Sequence, residues 1–189
     1  MKEEFIQLLK STNRTGVDSL LKYLEESDFY TAPASSIHHM NIESGLLQHS
    51  LNVCKVALKT RTLMLDLNPQ LSELLPQDSV IIAALLHDIC KTNIYTLNSR
   101  YQYNKKYTVD YSKFPLGHGE KSVIILLRNG LELTDDEIIA IRWHMTAWEI
   151  PFQSIEAKNN FNTAKKLSPL LTLIQTADSL ASALLERNQ

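Results

Sequence analysis

The sequence predicts one all-α domain that carries a small β-hairpin insertion. The length of 189 residues suits a single domain and is sufficient to bury about 70% of the surface of the unfolded chain. Apolar residues recur at helical spacing over most of the chain, which predicts amphipathic helices. One segment rich in Tyr and Thr breaks this pattern and alternates instead, as a pair of short strands does.

The predicted helices follow one another along the chain. Helical spacing is visible in KEEFIQLLK (residues 2–10), in GVDSLLKYLEE (16–26) and from Leu46 to Leu65. One face of the long third helix is predicted to hold its apolar residues Leu46, Val53, Val56, Ala57 and Leu63. Later helices are predicted at 78–90, 118–129, 134–147 and 167–186. The residues TDDE at 134–137 have the pattern of a capping box, which marks a helix start.

The predicted hairpin lies in IYTLNSRYQYNKKYTVDYS, residues 94–112. Its tyrosines, including Tyr101, Tyr103 and Tyr107, allow two interpretations. They could form a lid that stacks on a nucleobase, or they could pack the strand pair against the helical body.

Composition excludes several classes of protein. A net charge of −2 gives no global attraction to nucleic acid or to an anionic membrane. Cys54 and Cys90 are far apart in sequence, so neither a disulfide framework nor a zinc ribbon is expected. The first residues lack the pattern of a signal peptide, and no apolar run reaches about 18 residues. We therefore expect a cytoplasmic protein without a membrane anchor.

Four histidines and two aspartates stand among apolar neighbours: His49, His87, Asp88, His118, His144 and Asp178. Each one alone could be an ordinary hydrogen-bonded core residue. Together, four imidazoles and two carboxylates in one small core would carry a large desolvation cost, on the order of several kcal/mol per unpaired ion. A bound metal ion would compensate that cost, so metal binding is the favoured interpretation.

The elements GLLQHS, LLHDICK, GHGEKS, RWHM and TADSLAS, in this order, resemble the HD-domain superfamily of metal-dependent phosphohydrolases. The resemblance implies an HD-domain helical bundle over residues 31–186, preceded by a helical extension at 1–30, as a single HD domain over 1–189. The lead-in IHHMNIESGLLQHSLNV is most similar to the HD domains of bacterial 3′-to-5′ exoribonucleases, although their nucleic-acid-binding barrel is missing here.

By this resemblance, two divalent transition-metal ions are expected. His49, His87, Asp88 and Asp178 would hold the first ion, and His118 and His144 would hold a second ion that Asp88 bridges to the first. Ligands that offer only nitrogen and oxygen suit iron or manganese best, with zinc, cobalt or nickel possible. A metal-bound hydroxide would then attack phosphorus, with Asp88 and Lys91 as the catalytic residues.

The residues predicted to bind substrate are Lys91, His39, Lys121 and Arg142. Lys91 follows the His-Asp pair closely and is placed to meet a phosphate oxygen, but a solvated charge at a helix C-terminus is an equal alternative. Lys121 and Arg142 could be surface residues, and His39 could be a loop residue without a role. The expected substrate is a nucleotide, a short oligonucleotide or a small phosphorylated metabolite rather than a long nucleic acid.

Two other functions remain open at this stage. The same six ligands resemble those of mixed-valent diiron oxygenases, although Lys91 and the GLLQHS element favour hydrolysis. A non-catalytic nucleotide-binding module would be suggested by missing ligands, and none is missing here. Neither the exact substrate nor the oligomeric state follows from the sequence.

Overall fold

A computed structural model describes residues 1–38, 40–98, 106–146 and 154–187. Within these ranges, no helix combines the length and apolarity needed to cross a lipid bilayer. The α-helices are α1 (Lys2–Ser11), α2 (Val17–Glu26), α3 (Gly45–Leu67), α4 (Gln77–Leu86), α5 (His118–Arg128), α6 (Asp135–Trp143), α7 (Ile155–Leu167) and α8 (Pro169–Leu180). The prediction of an all-α fold is confirmed.

Helix α4 is the central element of the bundle. Every residue from Ser79 to Leu86 is buried, because the run is apolar all round and packs against α1, α3, α6 and α8. Helix α3 packs along both α4 and α8. Its apolar face is buried as far as Ala57, with Val56 partly buried, whereas Leu63 further along the helix is 57% exposed, so burial of this face ends before Leu63.

The N-terminal helices share this core. Phe5, Leu9, Leu20 and Leu24 are fully buried and belong to the same apolar cluster as the residues of α4. The turn between α1 and α2 also supplies Arg14, which lies far from its partners in sequence. Its guanidinium donates to both carboxylate oxygens of Glu137 at 2.8 Å and to Asp78 at 2.7 Å.

Several helix ends differ from their predicted positions. The predicted helix 78–90 ends at Leu86, and a short 3₁₀ turn follows over Ile89–Lys91. Helix α6 ends at Trp143, directly before His144, and the end of the predicted range at 147 lies outside the described residues. Helix α8 ends at Leu180, and the chain then forms a π-helical turn over Ala181–Leu185. The capping box is confirmed, because the backbone N–H of Thr134 donates to the Glu137 carboxylate and the backbone N–H of Glu137 donates to the Thr134 hydroxyl.

Helix α7 was not predicted from the sequence. Most of its residues are polar, and Ala164 is its only buried residue, so its apolar spacing is too weak to detect. The predicted hairpin is present as β1 (Tyr95–Leu97) and β2 (Tyr107–Val109), which pair antiparallel with Thr96 opposite Thr108. Tyr107 is buried, whereas Tyr101 and Tyr103 lie outside the described residues.

Candidate metal centre

Five helices bring the six predicted metal ligands together. His49 lies in the second turn of α3, and Asp178 lies near the end of α8. The other ligands stand at helix ends: His87 and Asp88 follow α4, His118 begins α5, and His144 follows α6. The helices thus supply a rigid frame, while their ends direct the polar side chains to one place.

A close approach of two helices joins His118 to His144. Gly119 is packed so tightly against the backbone carbonyl of Arg142 that any Cβ at this position would clash with it. Because Gly119 directly follows His118 and Arg142 lies two residues before His144, this contact brings the start of α5 to the end of α6. The glycine of GHGEKS therefore has a packing role in assembling the site.

The first group of ligand atoms surrounds Oδ2 of Asp88. The Nε2 atoms of His49 and His87 lie 3.3 Å from each other, and each is 3.5 Å from Oδ2 of Asp88. Oδ1 of Asp178 lies 3.3 Å from Nε2 of His49. His49, His87 and Asp88 are all buried, with one ligand atom from each within 4.8 Å of the others.

The second group surrounds the other oxygen of the same aspartate. Oδ1 of Asp88 lies 2.6 Å from Nε2 of His118 and 3.5 Å from Nε2 of His144. These three residues also place their ligand atoms within 4.8 Å of one another. Asp88 therefore belongs to two triads, one at each of its oxygens, which is an arrangement that a bridging carboxylate requires.

The outer nitrogens of the histidines determine which way the inner nitrogens face. Nδ1 of His87 donates to the carbonyl of Ala84 at 2.9 Å, and Nδ1 of His144 donates to the carbonyl of Ile141 at 2.7 Å. In the neutral ring, Nε2 then carries a lone pair directed into the cluster. Nε2 of His144 is buried and has no hydrogen-bond partner among the described atoms. This orphaned acceptor, in a set of nitrogen and oxygen donors, fits a transition-metal ion.

Glu186 is a buried member of the site that the sequence interpretation missed. Its carboxylate accepts from Nδ1 of His49 at 3.0 Å and from the amide of Asn52 at 2.9 Å. A carboxylate behind a histidine fixes the tautomer of the ring and raises its basicity as a ligand. The spacing of eight residues from Asp178 is compatible with one helix face and could have indicated Glu186.

Among the described residues of the site, carboxylates outnumber ammonium groups. Three carboxylates, Asp88, Asp178 and Glu186, face one ammonium, that of Lys91. Burial opposes ionisation of Asp88, but Lys91 and the surrounding imidazoles outweigh it and hold the pKa of this carboxyl well below its usual range. Burial likewise opposes charge on Asp178, yet the His49 hydrogen bond lowers its pKa.

The histidines respond to this excess of negative charge. Burial works against a charged His49, but the Asp178 and Glu186 hydrogen bonds raise its pKa to about 9. Burial also works against a charged His118, but contacts with Cys90 and Asp88 outweigh it and raise the pKa to about 10. Burial dominates at His87 and lowers its pKa to about 4. Without a metal, protons on two imidazoles thus supply the positive charge that the carboxylates require.

A cavity of about 230 Å³ opens onto the ligands. His49, Asp88, His144 and Asp178 line it together with Lys91 and residues of α8. Nζ of Lys91 lies 2.6 Å from Oδ2 of Asp88, and its side chain is 15% exposed. The structure therefore places Lys91 beside the candidate metal ligands and at the wall of the cavity.

The other residues predicted to bind substrate lie in different surroundings. Arg142 forms an ion pair with Glu120 and stacks over the ring of Trp143 at 4.0 Å. The ammonium of Lys121 donates to the carbonyl of Lys113 at 2.9 Å, and burial lowers its pKa. His39 lies outside the described residues.

Comparison with known proteins identifies the family. The protein-family model named HD domain matches residues 46–183, which is most of the chain. This chain belongs to the HD domain family. A protein of Methanocaldococcus jannaschii, dihydroneopterin 2′,3′-cyclic phosphate phosphodiesterase, is 32% identical over 141 residues, or 72% of this chain. The match covers 49% of that relative, so this HD chain spans about half its length. No solved structure gives a significant match.

Proposed function

We propose that this HD protein is a metal-dependent phosphohydrolase that acts on a small phosphoester. The observation that carries the proposal is the pair of His/Asp triads that share Asp88 beneath an open cavity. The phosphodiesterase relative supports the same class of reaction. A phosphoryl group is polyanionic in the transition state, and this cluster collects cationic and cation-binding groups at one point.

The six ligands would hold two divalent ions, with iron or manganese favoured by the nitrogen and oxygen donors. His49, His87, Asp88 and Asp178 would hold one ion, while Asp88, His118 and His144 would hold the other. When bound, the ions would supply Lewis-acid stabilisation of the phosphoryl oxygens and an activated water as nucleophile. The carbonyls of Ala84 and Ile141 keep Nε2 of His87 and of His144 available for this purpose.

Lys91 is the residue that we assign to the substrate phosphate. Its ammonium stands at the cavity wall, and the carboxylate of Asp88 raises its pKa, so it stays charged at neutral pH. A compact ammonium in a partly buried site stabilises negative charge on phosphoryl oxygens more strongly than it would in water. Asp88 has two functions here, because it binds metal and also positions Lys91.

The proposed substrate is a small phosphorylated compound, and nucleotides are the favoured class.

 The phosphodiesterase relative is named for a cyclic phosphate of a pterin, a planar heterocycle carried on a short chain. A nucleotide or a short oligonucleotide has the same combination of a heterocycle and a phosphoester. The net charge of −2 does not favour a long polyanion. The family match and the phosphodiesterase relative do not support a particular closeness to exoribonucleases. The cytoplasmic location stays a prediction.

The oxygenase alternative is not favoured. The phosphodiesterase relative supports hydrolysis, and an ammonium at the cavity wall suits an anionic substrate. Consumption of dioxygen by an anaerobically prepared diferrous sample, without hydrolysis of any phosphoester, would reverse this preference.

Elemental analysis followed by a substrate screen tests the proposal. The purified protein should contain transition metal, and with that metal it should hydrolyse at least one member of a panel of phosphomonoesters and phosphodiesters. Asp88→Asn should lose this activity, because it removes a ligand charge from both triads. Glu26→Gln, which changes an exposed carboxylate on α2, is the matched control and should retain it. A metal-loaded wild-type protein that is inactive on the whole panel would contradict the proposal.

A further inference from the structure

A second cavity, of about 440 Å³, lies next to the metal centre. Its walls come from α2, from the segment after the 3₁₀ turn, from the loop before α5 and from α5 itself. The described residues that line it are Tyr23, Thr92, Asn93, Ile94, Lys113, Phe114, Lys121, Ile125, Arg128 and Asn129. This volume lies in the range of small-molecule sites, about 300–1,000 Å³.

The lining of this cavity is strongly cationic. Lys113, Lys121 and Arg128 face it, and none of its described lining residues is a carboxylate. In a chain with a net charge of −2, this concentration of positive charge is local. Lys121 is 9% exposed, and the contact found for its ammonium is the neutral carbonyl of Lys113. The carboxylate of Asp110, in an adjoining cavity, attracts Lys113 and Lys121 but is one charge against three. An anion in the cationic cavity would supply further countercharge.

The remaining lining residues suit an organic ligand rather than a bare ion. Ile94, Phe114 and Ile125 provide an apolar wall, and the guanidinium of Arg128 lies 5.5 Å from the centre of the Phe114 ring. Asn93 and Asn129 add amide groups that can donate or accept hydrogen bonds. Such a mixture is typical of sites that bind a small molecule with both polar and apolar parts.

A smaller cavity of about 200 Å³ adjoins this site and is lined in part by the candidate metal ligand His118. It shares Ile94, Lys113, Phe114 and Lys121 with the cationic cavity, and it also reaches His118. Its carboxylate, that of Asp110, accepts hydrogen bonds from the backbone and the side chain of Ser112. One elongated molecule could therefore extend from the metal ligands to the cations of α5.

We propose that the cationic cavity is a substrate subsite for a second anionic group, distant from the phosphoester that is cleaved. Lys113, Lys121 and Arg128 bind this group, and the apolar wall contacts the part of the substrate between the two anions. The preferred substrate class then carries two phosphoryl groups on one small organic molecule. This inference rests on the proposed phosphohydrolase function, and it assigns Lys121 to the distant anion rather than to the cleaved phosphate.

Binding of inorganic diphosphate tests the site without reference to activity. Calorimetry should be carried out on chelator-treated wild type and on the double variant Lys113→Gln/Arg128→Gln, whose two side chains are exposed enough for the fold to tolerate the change. The affinity should fall about tenfold or more, because two charged hydrogen-bond donors are lost. The matched control Lys55→Gln/Lys59→Gln removes two exposed cations from α3 and should bind as wild type does. Equal affinities in all three proteins would overturn the proposal.

A pair of substrates tests the role of the site in the reaction. The p-nitrophenyl ester of thymidine 5′-phosphate is compared with the same ester carrying an additional 3′-phosphate, using metal-loaded protein. Wild type and the Lys55/Lys59 control should prefer the 3′-phosphorylated ester through a lower KM. The Lys113/Arg128 variant should lose that preference, with the loss mainly in KM, because a distant contact contributes uniform binding.

The outcomes separate this inference from the proposed function. Hydrolysis of both esters without any preference in wild type would overturn the subsite and leave the function intact. No hydrolysis of any phosphoester by metal-loaded wild type would overturn the function, and with it the substrate role, even where diphosphate binding depends on Lys113 and Arg128.

Discussion

Oε2 of Glu186 lies 3.0 Å from Nδ1 of His49, and both residues are buried although 137 positions separate them in sequence. The π-helical turn after α8 carries the chain to this point, directly before Glu186. Because the carboxylate holds the outer nitrogen of the ring, the inner nitrogen faces His87, Asp88 and Asp178. Glu186 is thus positioned to orient His49, a proposed metal ligand.

Glu186→Ala should lower metal affinity about 10–100-fold, as the loss of a carboxylate behind a metal-binding histidine does. Glu186→Gln should show a smaller loss, because its amide oxygen can still accept from Nδ1 of His49. Titration with metal, followed by elemental analysis, measures both effects. Glu26→Gln, on an exposed carboxylate, should bind metal as wild type does. A wild-type affinity in Glu186→Ala would show that the contact has no role in metal binding.

Removal of single ligands should separate the two triads. Asp88→Ala should lose both ions, because Asp88 belongs to both groups of ligand atoms. His118→Ala or His144→Ala should lose mainly the second ion, since these histidines belong to one group. Elemental analysis of the purified variants gives the stoichiometry directly. A wild type with one ion, unchanged by either histidine substitution, would rule out the dinuclear centre.

Chelation should lower the thermal unfolding midpoint. The metal-free cluster holds three carboxylates, and a metal ion that binds only the folded state stabilises it by RT ln(1 + [L]/Kd). This contribution is about 2.7 kcal/mol at a hundredfold excess over Kd. Calorimetric scans before and after verified removal of the metal measure the change. Identical midpoints would mean that the core tolerates its ligands without metal.

Lys91→Ala should retain both ions but slow phosphoester hydrolysis about 100-fold, because it removes a preorganised positive charge from the phosphoryl group. Lys91→Arg should restore part of the rate, since a planar guanidinium does not reproduce a compact ammonium. Measurements at low and at saturating substrate distinguish a loss in KM from a loss in kcat. Full activity in a metal-replete Lys91→Ala protein would reduce this residue to the ion pair with Asp88.

Arg14→Met should lower the free energy of unfolding by about 3–5 kcal/mol, because it leaves the fully buried carboxylate of Glu137 without its charged partner. The double variant Arg14→Met/Glu137→Met should recover much of this loss, since no buried charge then remains unpaired. Denaturant titrations provide both values. Lys10→Met, which removes an exposed ion pair with Asp18, should change stability by less than about 1 kcal/mol. A small effect of Arg14→Met alone would contradict the assigned cost.

The sequence by itself determined the helical class and the chemical nature of the site. Helical spacing located most of the α-helices, and the short-range pattern at 134–137 predicted the capping box that forms there. The six candidate ligands were recognisable because imidazoles and carboxylates in apolar surroundings need a common partner. These properties are local, or they follow from composition, so no tertiary contact was needed to infer them.

Only the tertiary structure decided which atoms meet. It assigned one oxygen of Asp88 to each triad, placed Lys91 against Asp88 and brought Glu186 behind His49. It also showed that Lys121 lines the cationic cavity rather than the cavity over the candidate metal ligands. The physical reason is that these contacts join distant segments across a packed core. Packing leaves no periodic signal in the sequence that shows which two side chains will meet.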